Sequence, residues 1–325
     1  MPTTKARSKK APKTLRKSRA QRDKETYRGS DPSAVLTKAM LVNVCIGNWD
    51  GRKHDKEVTT EVNDQRHASV DAGRYHKHLF GGKVKELSAV ITASTMLRHT
   101  HYAQTLPWTD SGWRLLPTAN HQQYTDAIRK RIRAYYEAVD GLIAVYPRLI
   151  SAARAKLNGM FKEEDYPSAD ALRAKFHAEI DWSPIAAGSD FRVQLPQAEM
   201  EKMAKNVETR LRESVGQAVG AAWKRLGKAI AELRAKLGDG KYLRDPVIDR
   251  LREVAEILGP LNLMDDEQLE ATRVRVLKEL TVFGADTLKE DEAARKRTAQ
   301  SADDILKSMA GVYAAAEVDD DIVVD

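Results

Sequence analysis

The stretch AEMEKMAKNVETRLRESVGQAVGAAWKRLGKAIAELRAKL, residues 198–237, carries the longest uninterrupted helical pattern in the chain. Its apolar positions are Met200, Met203, Val207, Leu211, Val215, Val219, Ala222, Leu226, Ile230, Leu233 and Leu237. Ten steps cover 37 residues, or 3.7 residues per step, which is the spacing of one apolar stripe along an α-helix. Such a helix would be roughly 60 Å long. The stretch therefore predicts a helix that braces a bundle or projects from one.

The same stretch indicates how this helix packs. Its period exceeds 3.5, which favours nearly straight helices in a bundle over a left-handed leucine zipper. Gly216 and Gly220 lie one turn apart, and we expect them to admit the backbone of a partner. Pro196 suits the start of the helix, and the glycines at 238 and 240 suit its end.

A second long stripe makes residues 120–157 the natural partner of the first helix. Its apolar positions are Tyr124, Ile128, Ile132, Tyr135, Val139, Leu142, Tyr146, Leu149, Ala153 and Leu157. Two long stripes predict a helical hairpin or bundle. We expect Pro147 to kink or break the second helix just after Tyr146.

The first part of the chain has a mixed pattern. In residues 41–46 the β-branched Val42, Val44 and Ile46 alternate, which predicts a strand, although the run is short enough to be a buried helix end. Residues 56–78 are polar and predicted to be helical, with Gly81 and Gly82 as the stop. A short second helix is expected over residues 84–101.

Later segments add one short helix, one strand and three helices. Turn residues at 165–168 predict the start of the short helix, and those at 181–184 its end. Residues 191–195 alternate and are a candidate strand to pair with residues 41–46. The three further helices are predicted over residues 245–258, 265–283 and 290–313.

Together these patterns predict a mainly α protein. We expect an elongated helical hairpin or bundle, a small accessory antiparallel β element and a disordered basic N-terminal arm. The predicted divisions are the arm at 1–29, a mixed α/β part at 30–118, a long-helix bundle at 119–313 with an insert at 158–196, and an acidic tail at 314–325.

Composition limits the class of protein. The 325 residues are 42% hydrophobic and 31% charged, as expected for a helix-rich globular chain. No apolar run reaches the ~20 residues of a membrane span, and no apolar segment follows the basic N-terminus as in a secretion signal. We therefore predict a cytoplasmic protein. Cys45 is the only cysteine, which excludes an internal disulfide and a cysteine-cluster zinc site.

Positive charge is concentrated at the N-terminus. Residues 1–28 hold eleven Lys and Arg against Asp23 and Glu25, a net charge of +9; because the whole chain is +7, residues 29–325 sum to −2. One interpretation is an arm that binds the phosphates of DNA or RNA, and the other is a tail that only keeps the protein dissolved. The candidate contacts are Lys5, Arg7, Lys9, Lys10, Lys13, Arg16, Lys17 and Arg19.

A smaller basic run lies on the second long helix. It comprises Arg129, Lys130, Arg131 and Arg133. This run is a candidate nucleic-acid contact on a folded element. The alternative is an ordinary solvated, charged helix face.

Two features are candidate contacts for a partner. Trp108 and Trp113 flank a Thr-Asp-Ser-Gly turn, which predicts a short hairpin whose ring pair either stacks on bases or a partner or caps a core. Asp319, Asp320, Asp321 and Ile322 lie in an acidic C-terminal tip that resembles the partner-recruiting tails of single-strand-binding proteins, although it ends on Asp325. The alternative for the tip is a solvated terminus.

No pattern of an enzyme is found. Phosphate-binding glycine loops, nucleotide fingerprints and serine-elbow motifs are absent from the sequence. His76 and His78, like His99 and His101, are two residues apart, and such pairs share a face only in a strand. Both pairs fall in predicted helices, so we predict no metal site, no cofactor and no enzymatic activity, with a histidine-dependent metalloenzyme as the alternative.

Four segments carry a resemblance to a known family. Residues 41–53 with Trp-Asp-Gly-Arg at 49–52, residues 106–117, Asp-Tyr-Pro-Ser at 165–168 and residues 190–195 resemble mainly helical proteins of unknown function from tailed bacteriophages and mobile elements. Genes of that family often neighbour those for MoxR-type AAA+ ATPases and von Willebrand A-domain proteins. The resemblance covers about residues 30–200 and implies a phage or mobile-element origin without any catalytic residue.

Two functions follow as hypotheses. The first is a non-enzymatic helical protein that binds nucleic acid, DNA or RNA, through its basic arm, and a protein partner or a second copy through its helices. The alternative is an adaptor or oligomeric scaffold, with an AAA+ ATPase as its candidate partner.

Overall fold

Residues 35–108, 112–188, 196–239 and 245–313 are described by the computed structural model of this chain. It is mainly helical with a small antiparallel sheet, as predicted. The described chain forms two compact units, an N-terminal unit of Ser33–Ala187 with Ile257–Leu263 and a C-terminal unit of Gly188–Glu256 and Met264–Asp325. The basic arm, the acidic tail and the candidate strand at 191–195 lie outside the described residues.

A four-stranded antiparallel sheet lies in the N-terminal unit. The strands are β1 (Ala39–Gly47), β4 (Leu106–Pro107), β5 (Arg114–Pro117) and β6 (His177–Ser183), in the order β4-β5-β1-β6. The strand predicted at 41–46 is therefore confirmed, and its neighbours are β5 and β6.

One face of the sheet packs on helices. Val42, which lies opposite Trp182 of β6, is fully buried, and Met40, Val44 and Ile46 of the same strand pack against the same core. Alternate residues of a strand point to opposite faces. The even-numbered residues of β1 thus form the apolar floor on which the helices of this unit rest.

Five helices complete the N-terminal unit. They are α1 (Val35–Lys38), α2 (Lys56–Gln65), α3 (Lys85–Gln104), α4 (His121–Leu157) and α5 (Ala169–Arg173). Helices α3 and α4 pack side by side, and the buried stripe of α4 includes Ile128, Tyr135 and Leu142. Pro147 lies inside α4, which continues to Leu157, so the helix does not break there.

The predicted helix at 56–78 ends early. Helix α2 stops at Gln65 and is followed by His67, whose φ is +50°. The amide of buried Asn63 donates to the carbonyl of Val70 at 3.0 Å and so holds the chain in a turn. The chain then returns as β3 (His76–His78), which pairs with β2 (Arg52–His54) as a two-stranded ribbon.

The predicted short helix at 165–184 is also shorter than expected. Ser168 caps α5 by accepting from the backbone N–H of Ala171 at 3.2 Å, and α5 ends at Arg173. Residues 177–183 form β6 because Ala178 and Ile180 alternate toward the core and the backbone pairs along β1. Its alternating apolar residues are thus the sequence signal of this strand. The turn residues at 181–184 led instead to the prediction of a helix end.

The C-terminal unit contains the long helix predicted over residues 198–237. Helix α6 (Gln197–Asp239) packs against α10 (Glu292–Tyr313), with Arg234 Nε 2.8 Å from Asp303 Oδ1. The other elements are α7 (Asp245–Leu261), which belongs to this unit up to Glu256, α8 (Glu267–Arg275), a π-helical turn (Val276–Leu280) and α9 (Ala285–Glu290). From Val215 to Leu237 the apolar stripe of α6 is buried except at Val219, which is half-buried.

Each long helix packs against a helix of its own unit. Helix α4 packs with α3, and α6 packs with α10. The predicted boundary at residue 119 falls inside the N-terminal unit, because α4 belongs with the sheet. A Cβ added at Gly216 or Gly220 would meet no atom within 4 Å, so no described backbone approaches these glycines.

None of the described helices combines the length and the apolar character needed to cross a lipid bilayer.

Candidate nucleic-acid interface

The basic run of α4 is exposed but does not form a single patch. Arg129, Lys130, Arg131 and Arg133 are all exposed. Successive residues of a helix turn by about 100°, so Arg129 and Arg133 lie one turn apart on one side. Arg131 faces α3, where its Nε donates to Thr100 Oγ1 at 3.2 Å.

Acidic residues lie among these cations. Asp126 and Glu137 are exposed on α4, one turn before Lys130 and one turn after Arg133. Carboxylates at this spacing reduce the local positive potential. The face can contact phosphates through Arg129 and Arg133, and the mixed charges equally fit the alternative of a solvated helix face.

The tryptophan pair flanks the predicted hairpin. Strands β4 and β5 pair with Leu106 opposite Leu115, and Gly112 has a φ of +85°. Trp108 is only 8% exposed, whereas Trp113 is half-buried. The Trp108 ring therefore contributes to the core, and Trp113 offers the larger free surface to bases or a partner.

A histidine-rich face on the β2–β3 ribbon was missed by the sequence reasoning. Arg52 lies opposite His78, and His54 lies opposite His76. Residues opposite one another, and residues two apart, share one face of a ribbon. These four side chains therefore lie on one face. The signal in the sequence was the repeated pattern RKH at 52–54 and HKH at 76–78, which the prediction assigned to a turn and a helix.

The other face of the ribbon is fixed by a buried ionic cluster. Lys77 Nζ lies 2.9 Å from Asp55 Oδ2 and 2.8 Å from Asp165 Oδ2, and it donates to the carbonyl of Met160 at 2.8 Å. Lys53 Nζ lies 2.6 Å from Asp165 Oδ1. Lys77 and both carboxylates are buried. The cluster thus joins the ribbon to the start of α2 and to the turn after α4.

The charges of this cluster hold one another in the ionised form. The hydrogen bond from Lys77 is the main cause of the lowered pKa of Asp55. Burial alone would raise the pKa of Asp165, but Lys53 and Lys77 outweigh it and the pKa is lowered. Burial alone would lower the pKa of Lys77, but Asp165 and Asp55 outweigh burial and the pKa of Lys77 is raised.

The second histidine pair lies on a helix, as predicted. His99 is exposed on α3, whereas His101 is buried with its Nδ1 2.8 Å from the hydroxyl of Tyr124. Burial, helped by the charge of Arg114, lowers the pKa of His101 to about 3. His101 is therefore a neutral core residue.

The remaining candidate residues lie outside the described ranges. They are Lys5, Arg7, Lys9, Lys10, Lys13, Arg16, Lys17, Arg19, Asp319, Asp320, Asp321 and Ile322. Comparison with protein-family models, with curated proteins and with solved structures finds no match to this chain.

Proposed function

We propose that this chain is a non-enzymatic protein that binds nucleic acid through the basic arm at residues 1–28. The proposal rests on the charge distribution, since the arm carries +9 and the other residues sum to −2. Each phosphate that a cation neutralises releases a counterion, which favours binding and makes it salt-dependent. A phage or mobile-element origin and action in the host cytoplasm belong to the same proposal, on the resemblance of residues 30–200.

The folded part has a secondary role in this proposal. Arg129 and Arg133 on α4 present two guanidinium groups one turn apart to solvent. Guanidinium groups bind phosphate in a bidentate manner. Because Asp126 and Glu137 lie close along the same helix, we assign most of the binding free energy to the arm.

Fluorescence anisotropy tests the arm directly. The full chain and a variant lacking residues 1–28 are titrated with duplex DNA, single-stranded DNA and single-stranded RNA of one length, at several salt concentrations. We expect the full chain to bind with a steep salt dependence, and the truncated chain to bind at least 100-fold more weakly at low salt. The proposal is wrong if the full chain does not bind, or if truncation leaves the salt dependence unchanged.

An adaptor or oligomeric scaffold is the second candidate, and the outer surface of α3 favours it. Ile91, Met96 and Tyr102 are 39%, 46% and 52% exposed. Between them, Thr92 and Thr95 donate their hydroxyl hydrogens to carbonyls one turn back, at 2.9 Å each. Exposed apolar side chains on a helix favour a protein contact, and here they share the surface with exposed Arg98 and His99.

Mass photometry distinguishes the two candidates. A scaffold forms oligomers without nucleic acid, and the paired substitution Ile91→Lys and Met96→Lys reduces their size. A MoxR-type AAA+ ATPase added at equal concentration is the partner that the family resemblance implies. Oligomers that are indifferent to DNA and RNA favour the scaffold, and a monomer that gains mass only with nucleic acid favours the arm.

A further inference from the structure

The β2–β3 ribbon brings two imidazole rings together across its strands. Asp55 N–H donates to the carbonyl of Tyr75 at 2.9 Å, and Leu79 N–H donates to that of Gly51 at 2.8 Å. Hydrogen-bonded and non-hydrogen-bonded pairs alternate along an antiparallel ladder. His54 and His76 are therefore a non-hydrogen-bonded pair, the kind whose side chains lie closest.

The distance between the rings fits shared coordination. The ring centroids of His54 and His76 are 5.3 Å apart, with the ring planes 35° from one another. A metal–nitrogen bond of about 2.0–2.1 Å places an imidazole centroid about 3.2 Å from the ion. Two such rings at a tetrahedral angle then have centroids about 5 Å apart. The observed separation of the ring centroids thus matches that of two imidazoles bound to one ion.

Thr59 fixes the tautomer of His54. The Thr59 hydroxyl donates its hydrogen to the carbonyl of Asp55 at 2.6 Å, so its oxygen can only accept from other groups. His54 Nε2 lies 3.0 Å from that oxygen and must carry the ring hydrogen. The lone pair of neutral His54 is therefore on Nδ1. A hydrogen bond of this kind from the second nitrogen is typical of histidine ligands of metals.

We propose that His54 and His76 form an open binding site for a late first-row divalent ion such as Zn²⁺. Imidazole nitrogens suit Zn²⁺, Cu²⁺ and Ni²⁺, whereas Mg²⁺ and Ca²⁺ require oxygen ligands. Among the described residues, no group of three His, Cys, Asp or Glu side chains converges on one position. The ion therefore keeps two or more exchangeable positions for water or an added ligand.

His78 and Arg52 lie on the same face as the proposed site but are not ligands of the ion. His78 lies opposite Arg52, whose fixed positive charge disfavours a cation at that position. Lys77 and Lys53 point to the other face, where Asp55 and Asp165 hold them. The ionic cluster thus keeps the backbone of the ribbon in place and leaves the histidine face open.

Isothermal titration calorimetry with ZnCl₂ on the full chain at pH 7.5 tests the site. We expect one Zn²⁺ per chain with a dissociation constant in the micromolar range. His76→Ala is the main variant because His76 is exposed; it should weaken binding at least 10-fold. His54→Asn should do the same.

Matched controls make the result decisive. His99→Ala removes an exposed histidine on α3 and should leave the affinity within a factor of two. Circular dichroism establishes that each variant is folded, and if His54→Asn unfolds, His76→Ala alone decides. The proposal is overturned if the full chain binds no Zn²⁺, or if His76→Ala binds it as tightly as the unmodified chain.

Discussion

At the residue scale, Lys77 is the side chain whose loss should cost most. Lys77→Met leaves Asp55 and Asp165 buried, with only Lys53 beside the latter. Removing one partner from a buried ionic group leaves uncompensated charge, which costs about 3–5 kcal/mol. We expect that decrease in the free energy of unfolding, measured with urea and tryptophan fluorescence. Four of the five tryptophans lie in the N-terminal unit, so the signal reports mainly on it.

Lys162→Met is the matched control for this loss. Lys162 Nζ lies 2.5 Å from Glu57 Oε1, but the Glu57 side chain is 78% exposed. Pairs open to solvent contribute little to stability because water screens their charges, so Lys162→Met should leave the free energy of unfolding nearly unchanged. An equal effect of the two substitutions would mean that the cluster around Lys77 is solvated and has no special part in holding the ribbon.

His101 predicts how stability depends on pH. Its pKa falls from an ordinary 6.5 to about 3 in the folded protein. At a pH between these two values, the imidazole binds a proton in the unfolded chain but not in the folded one. Stability is complete above pH 6.5 and falls by about 1.4 kcal/mol per pH unit below it. From this residue alone we expect a loss of about 2 kcal/mol between pH 7 and pH 5.

His101→Gln removes this titration and should lower the pH dependence accordingly. Urea unfolding of both proteins at pH 7 and pH 5 measures the two losses. The variant is less stable at pH 7, because the contact with Tyr124 changes, but it should lose about 2 kcal/mol less on acidification. Identical losses would show that His101 is protonated in the folded protein.

At the element scale, long periodic segments were predictable and short ones were not. Helices α4 and α6 follow from spacing alone, because stripes of nine and ten steps each specify one apolar face. Strand β3 has only three residues, and its pairing with β2 depends on Asn63 and Lys77 contacts with distant backbone. The histidine face was therefore missed, since its chemistry depends on a strand that no local pattern specifies.

The glycines of α6 give a prediction at this scale. We expect Gly216→Ala and Gly220→Ala each to raise the free energy of unfolding by about 0.5–1 kcal/mol, because alanine restricts the unfolded chain and favours the helix. The added Cβ meets open space in the described part of the chain. Thermal unfolding followed by circular dichroism measures the effect.

Gly47→Ala is the opposing control in the same assay. A Cβ there would lie 2.1 Å from the His177 ring, so this variant should be destabilised. If Gly216→Ala also destabilises the protein, a backbone does pack against these glycines, as their spacing first indicated, and a second copy of the chain would be the partner to look for.

At the scale of the whole molecule, the sign of the net charge depends on the basic arm at residues 1–28. Without residues 1–28 the net charge changes from +7 to −2, so the rest of the chain repels a polyanion on average. The positive side chains on α4 belong to this negatively charged part, and Asp126 and Glu137 lie beside them. If binding depends on the arm, the affinity for nucleic acid should decrease with each positive charge removed from the arm. Removing positive charges from α4 should lower it only weakly.

Two variants with matched chemistry test this dependence. Gln replaces five cations of the arm in the first variant: Lys5, Arg7, Lys9, Lys10 and Lys13. Gln replaces Arg129, Lys130 and Arg133 in the second. Each phosphate contact contributes about 0.9 to the slope of log K against log salt for duplex DNA, so the first variant should lower the slope by about 4 and the second by less than 1. The reverse order would move the interface to the folded helix, because only contacts that release counterions change the slope.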